Sequence, residues 1–239
     1  AKTIQMQGGA DILKNSGTIT STSIKMAGGK DELTNYIAGT ITSKKINMGN
    51  GDDVLKNQGT LNVDSISLGS GSDVIYVDSP INARTDGGTV TIDGGSDEED
   101  ITNGLNIDVV RFGASGGTGT IDGSNYINFY KAVQEGGTWN YDKDFSHIPQ
   151  FVVEGGVMDA TDKKPATFDN LTLKGGTIQT DMHSHTGASY PAPIKIVGNF
   201  DYQSGSLVIK AEQASNPDGT FKIIDITKKQ VTLATVVRD

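Results

Sequence analysis

One motif returns along roughly the first hundred residues, each time after about one coil of a stacked-repeat protein. Its first copy reads Ile4-Gln5-Met6, Gly8-Gly9-Ala10-Asp11-Ile12-Leu13-Lys14-Asn15, Gly17-Thr18-Ile19. The second reads Ile24-Lys25-Met26, Gly28-Gly29-Lys30-Asp31-Glu32-Leu33-Thr34-Asn35, Gly39-Thr40-Ile41. The third is Ile46-Asn47-Met48, Gly51-Asp52-Asp53-Val54-Leu55-Lys56-Asn57, Gly59-Thr60-Leu61, and a decayed fourth keeps Ile66-Ser67-Leu68 and Gly71-Ser72-Asp73-Val74-Ile75. Equivalent positions such as Ile4, Ile24, Ile46 and Ile66 lie 20 to 22 residues apart.

Within each copy apolar and polar residues alternate. In Ser23-Ile24-Lys25-Met26 this puts Ile24 and Met26 on one face and Lys25 on the other, the pattern of a half-buried strand. Glycine-rich corners separate the strands and supply the positive φ that a sharp turn requires. No copy has the three-and-four apolar spacing of a helix. The chain is therefore expected to be all-β, an elongated solenoid of parallel strands. One coil cannot bury its own apolar face, so stacking at about 4.8 Å should build continuous internal ladders. The expected ladders are Ile4-Ile24-Ile46-Ile66, Met6-Met26-Met48-Leu68 and Leu13-Leu33-Leu55-Ile75. Thr18, Thr40 and Thr60 share a register. Asn15, Asn35 and Asn57 form a column that either hydrogen-bonds along the stack or faces solvent as three turn residues.

Composition narrows the partners. A net charge of −9 argues against nucleic acid or an anionic membrane surface. Cysteine is absent, which fits export in an unfolded state and rules out a disulfide scaffold. No stretch reaches the roughly 18 to 20 apolar residues of a spanning helix. No signal-peptide core opens the chain, and Ala1 leads almost directly into a repeat, so a segment of a longer protein is expected. Two regions are distinguished: a stem of repeated coils over residues 1–150, and a C-terminal region over 151–239 with longer strands and another rhythm. Trp139, the sole tryptophan, is read as a core or end-of-coil residue.

Toward the C-terminus, a Gly175-Gly176-Thr177-Ile178 corner precedes Gly198, Phe200, Tyr202 and Ser204-Gly205-Ser206-Leu207-Val208-Ile209. This run resembles the C-terminal end of autotransporter (type V secreted) passenger domains, and the upstream Gly-Thr-Ile and Gly-Gly-x-Asp-x-Leu-x-Asn copies are similar to the passenger stem. The resemblance extends over nearly the whole chain through loose motifs. It implies a right-handed parallel β-helix, with an autochaperone-like cap at 151–239. It also implies display on, or release from, a Gram-negative cell surface, with an outer-membrane β-barrel of the full-length chain as partner.

Candidate chemistry is sparse. Gly113-Ala114-Ser115-Gly116-Gly117 matches a nucleophile-elbow pattern, but no helix follows it, and Ser115 is read as a turn residue. Gly49-Asn50-Gly51-Asp52-Asp53 and Gly69-Ser70-Gly71-Ser72-Asp73 resemble calcium-binding nonapeptides but lack their tandem arrangement. The preferred reading has Asp11, Asp31, Asp53 and Asp73 holding turns through hydrogen bonds to backbone, with calcium as the weaker alternative. His183 and His185, with Asp181 nearby and His147 distant, are read as a loop rather than a zinc site. The acidic run Ser96-Asp97-Glu98-Glu99-Asp100 is read as a solvated loop rather than a glycan-cleaving carboxylate cluster. No catalytic, cofactor or metal residue is therefore assigned. The expected function is a non-enzymatic surface stalk and adhesin acting in self-association, host or matrix binding, or biofilm attachment. A β-helical polysaccharide lyase or hydrolase, or a spacer for a functional domain elsewhere, is the alternative.

Overall fold

The computed structural model describes residues 2–86, 88–95, 106–161, 166–182, 194–211, 224–226 and 231–233. These residues form an all-β solenoid of stacked parallel strands, with no α-helix among them. One sheet stacks Thr3–Gln5, Thr18–Lys25, Thr40–Asn50, Thr60–Ser70, Thr91–Gly95 and Tyr126–Ile127. A second begins Ile12–Asn15, Glu32–Asn35, Val54–Asn57, Val74–Val77, Val109–Phe112, Lys131–Gln134 and Asp144–Val153. It continues into the 17-residue strand Ala166–Met182, which rounds a corner and also pairs with Val157–Ala160.

The ladders run as the repeat predicts. Ile4, Ile24, Ile46 and Ile66 are register partners and continue to Ile92 and Tyr126. Leu13, Leu33, Leu55 and Ile75 continue through Val110, Ala132 and Phe151 to Leu171, Phe200 and Val231. Strand Asp144–Val153 crosses residue 150, so this column joins the stem to the C-terminal region within one sheet. Ile24, Met26, Leu33, Ile46, Met48 and Leu55 are wholly buried, each worth about 1.5–3 kcal/mol relative to exposure.

The corner glycines are dictated by the stack as well as by the turn. Gly49 has φ +116°, and a Cβ there would lie 1.6 Å from the carbonyl oxygen of Ala27 in the preceding coil. Gly69 repeats the relationship with the Gly49 carbonyl. Backbones one strand spacing apart leave no volume for a side chain between them.

The asparagine column resolves in favour of the internal ladder. Asn15 Nδ2 donates to Asn35 Oδ1 (2.9 Å), Asn35 Nδ2 to Asn57 Oδ1 (3.0 Å), and Asn57 Nδ2 to the Ser79 carbonyl (3.0 Å). All three residues are buried. Each amide satisfies the next at a bend where backbone pairing lapses.

Past Val109 the core changes from aliphatic to aromatic. Phe151 and Phe168 meet edge-to-face at 4.9 Å, Phe145 stacks on Phe168 at 5.4 Å, and Tyr141 is edge-on to both Phe145 and Phe151. Trp139 is fully buried beside Phe112, in agreement with its reading as a core residue.

Candidate functional site

Strand alternation that sends Ile41 and Leu61 inward turns their neighbours out. On the outer face of the first sheet Thr20, Thr42, Asn62 and Asn82 are register partners, beside a second column of Thr18, Thr40 and Thr60. Hydroxyls and amides are thus repeated at the strand spacing along the axis. Between the two halves of this face Ser21 Oγ donates to Ser43 Oγ (3.0 Å), which donates to the Lys45 carbonyl (3.0 Å). The chain bends there with the Ser21 and Ser43 hydroxyls paired.

Beyond that bend a further outward column runs Gln5, Lys25, Asn47, Ser67, Asp93. Asn50 and Ser70 rise opposite it, joined by a Ser70 Oγ to Asn50 Oδ1 bond of 2.8 Å. Together they line a shallow groove of about 480 Å³ running along the axis. Asp93 is tied to Asn128 Nδ2 at 2.8 Å. A second axial groove of about 400 Å³ lies on the other sheet, between Gln150, Asn170, Thr172, Asn199 and Asp201. Both offer amide and hydroxyl donors and acceptors in rows, with Lys25 and Asp93 in the first and Asp201 in the second. Such surfaces can hydrogen-bond an extended polar partner.

The aspartates of the corners behave differently from surface carboxylates. The Asp11 N–H donates to Asp31 Oδ1 (2.8 Å), Asp31 N–H to Asp53 Oδ1 (2.8 Å), and Asp53 N–H to Asp73 Oδ1 (2.7 Å). Asp73 N–H continues to Asp108 Oδ1 (2.8 Å). Asp31, Asp53, Asp73 and Asp108 are buried. These carboxylates do hold turns through backbone hydrogen bonds, and each bond reaches from one coil to the next. Burial, then the charges of Asp31 and Asp52, push the Asp53 carboxyl up to about 6, against the backbone N–H bond that favours its anion. Among the described residues no three His, Cys, Asp or Glu side chains converge as a metal site.

Several other carboxylates are paired with cations one coil away on the outside. Lys56 meets Glu32 at 3.7 Å, Lys174 meets Glu154 at 3.1 Å, Lys143 meets Asp122 at 2.5 Å, and Arg111 pairs with Glu135. Ser115 lies exposed in a turn, its N–H donating to Asp78 Oδ1 (2.9 Å) and its Oγ accepting from Gln58 Nε2 (3.1 Å). No histidine is among its hydrogen-bond partners, so the elbow pattern carries no nucleophile–base pair among the described residues. His147 Nε2 instead bonds the Tyr126 carbonyl at 2.5 Å. The acidic run Ser96–Asp100, and His183 and His185, lie outside the described residues, as does the Asp181 side chain.

The two grooves and the fifth aspartate, Asp108, escape a reading of the sequence. Asp108 follows Asp73 by 35 residues rather than 20 to 22. Its one signal is Asn106, which takes positive φ (+54°) two residues ahead, where the corner before Asp73 has Gly71. Asparagine is among the few residues other than glycine to visit that region routinely.

The chain matches no family model, no curated protein and no solved structure.

Proposed function

We propose that the chain is a non-enzymatic surface stalk and adhesin of the autotransporter-passenger type, standing on a Gram-negative cell and attaching through its outer polar columns. The observation that carries this reading is the Thr20-Thr42-Asn62-Asn82 column, flanked by Thr18-Thr40-Thr60 and an axial groove of amides and hydroxyls. A stack of parallel coils extends far with few residue types, and it repeats any side chain that contributes a contact. Weak contacts multiplied along an axis give avidity without a deep pocket. The partner best matched to such a face is another polar, extended surface: a second copy of the chain, or host matrix.

Sedimentation velocity over a wide concentration range, with calcium and with chelator, tests the self-association arm. Concentration-dependent association is expected, and it should be abolished by Thr42→Lys with Asn62→Lys. A monomer at every concentration that also fails to bind immobilised matrix would overturn the adhesive reading. Association lost only on chelation would move the contact from the threonine columns to the acidic corners.

A further inference from the structure

The least ordinary feature of the solenoid is a column of carboxylates inside it. Asp31, Asp53, Asp73 and Asp108 are 1%, 0%, 0% and 4% exposed. In each link one oxygen is occupied by the N–H of the previous coil. The second oxygens of Asp31 and Asp53 are buried without a hydrogen-bond partner among the described residues. An ionised carboxylate so placed lacks the pairing that buried charges require.

Among the described residues the charges that act on the Asp53 carboxyl are those of Asp31 and Asp52, both acids. Asp53 faces Asp31 from the coil before and Asp73 from the coil after, with Asp52 adjacent in sequence; all are carboxylates. Lys56 on the following strand is directed outward to Glu32, and Lys30 beside Asp31 is exposed. A calcium ion needs six or more oxygens at once, whereas Asp31 and Asp53 each offer one oxygen without a hydrogen-bond partner among the described residues, a coil apart at about 4.8 Å. A proton needs only one.

We infer that Asp53 is a proton-binding site inside the stem, filled in mildly acidic surroundings and emptied toward neutrality while the coil stays folded. Protonation turns the partnerless oxygen into a neutral hydroxyl or carbonyl and leaves the Oδ1 bond to Asp31 in place. It also removes the central charge from a row of like charges. The raised proton affinity that burial and Asp31 impose on this carboxyl agrees with the geometry. The stability of the stem thereby becomes coupled to ambient acidity, whatever its outer faces bind.

Carbon-detected NMR of the aspartate-labelled folded chain, following each side-chain carboxyl through a pH titration, tests the site. Asp53→Asn and Asp52→Asn assign the two resonances. The expected result is an Asp53 midpoint about two pH units above the ordinary aspartate value of ~3.9. If the Asp53 carbon instead titrates at or below that value, the inference is overturned. Should Asp53→Asn fail to fold, proton uptake on unfolding the unsubstituted chain by urea at pH 5 decides the matter. Net proton release on unfolding supports the site, and net uptake or no change refutes it.

Discussion

The backbone N–H of Asp31 donates to Asp53 Oδ1 at 2.8 Å, one coil further on, and the other carboxyl oxygen of each residue is buried without a hydrogen-bond partner among the described residues. The same contact that fixes the register of two coils therefore places two acids inside the fold. Structure and titration are linked at this point, because the bond that holds the corner keeps its acceptor out of water.

A peaked dependence of stability on pH follows. The Asp53 carboxyl is raised to about 6, so its folded form binds a proton more tightly than the unfolded chain does. That contribution is fully present below the unfolded value of ~3.9 and is lost as pH rises through about 6, a change on the order of 3 kcal/mol. Other carboxyls oppose it at lower pH. The Thr34 hydroxyl and then Lys56 hold Glu32 low, against desolvation; Lys143 and Ser124 overcome a larger desolvation at Asp122, and Ser146 does so at Asp144. Their contribution is present above ~4 and lost as pH falls through their lowered values. Urea midpoints are expected to be highest near pH 4.5 and lower at both pH 3 and pH 7.5. Asp53→Asn should raise the midpoint at pH 7.5 and leave it nearly unchanged at pH 4.5. A midpoint flat from pH 4.5 to 7.5 in the unsubstituted chain would contradict the assignment.

The Gly49 corner gives a pair of opposite substitutions. Gly49→Ala drives a Cβ to 1.6 Å from the Ala27 carbonyl oxygen, and that backbone is pinned by the Asn50 N–H bond to the same oxygen (3.0 Å). A loss of about 3 kcal/mol or more is expected, as for other cases of strain at a special backbone position. Ala27 occupies the equivalent place one coil earlier at φ +86°. Ala27→Gly relieves an alanine of the left-handed region and should stabilise by up to about 1 kcal/mol. Thermal or urea unfolding of the two variants checks both signs.

Asn35 should be among the most sensitive polar positions. It accepts from Asn15 Nδ2, donates to Asn57 Oδ1, and donates to the Thr60 carbonyl at 3.0 Å. Asn35→Ala takes the Nδ2 donor from the buried Asn57 Oδ1 and one of three acceptors from Asn15 Nδ2, for a loss of about 1–3 kcal/mol. Asn62→Ala, on the outer face of the same stack, should change stability by no more than ~0.5 kcal/mol. Equal losses at the two sites would mean that the internal amide ladder adds nothing.

Sequence reading succeeded where a side chain is repeated every coil. Leu13, Leu33, Leu55 and Ile75 stand in one column because identical coils stack in register, and period and face are both visible in the chain. The asparagine column was legible as a column but not as an inside or an outside one. Its burial depends on Gly39 and Gly59 closing over it, where a Cβ would lie 2.4 Å from Asn35 Oδ1 and 3.0 Å from Asn35 Nδ2 respectively. The groove beside Asn47 was not legible. It arises when the backbone bend sets Asn50 and Ser70 opposite the Lys25-Asn47-Ser67 column, a concavity that no spacing of residue types encodes. Nor could the linear pattern join Phe145, Phe151 and Phe168 into one cluster, since that requires the longer C-terminal strands to share the stem's register.

The aromatic part of the core offers a test in which the larger change in chemistry should matter less. Trp139 is fully buried, and its Nε1 has no hydrogen-bond partner among the described residues. Trp139→Phe forfeits ring volume beside Phe112 but also removes an unsatisfied buried donor, which costs ~1–3 kcal/mol while it remains. The two effects oppose, and a net change within about 1 kcal/mol is expected. Tyr141, two residues on and buried in the same cluster, donates its hydroxyl to Gln134 Oε1 at 3.1 Å, while Gln134 Nε2 donates to the Gly155 carbonyl at 3.2 Å. Tyr141→Phe deletes one oxygen and strands that acceptor in the interior, so a loss of about 1–3 kcal/mol is expected despite the conserved ring. Urea unfolding of both variants, followed by far-ultraviolet circular dichroism, gives the ordering. If Trp139→Phe proves the more damaging, packing volume rather than hydrogen-bond satisfaction governs this end of the solenoid.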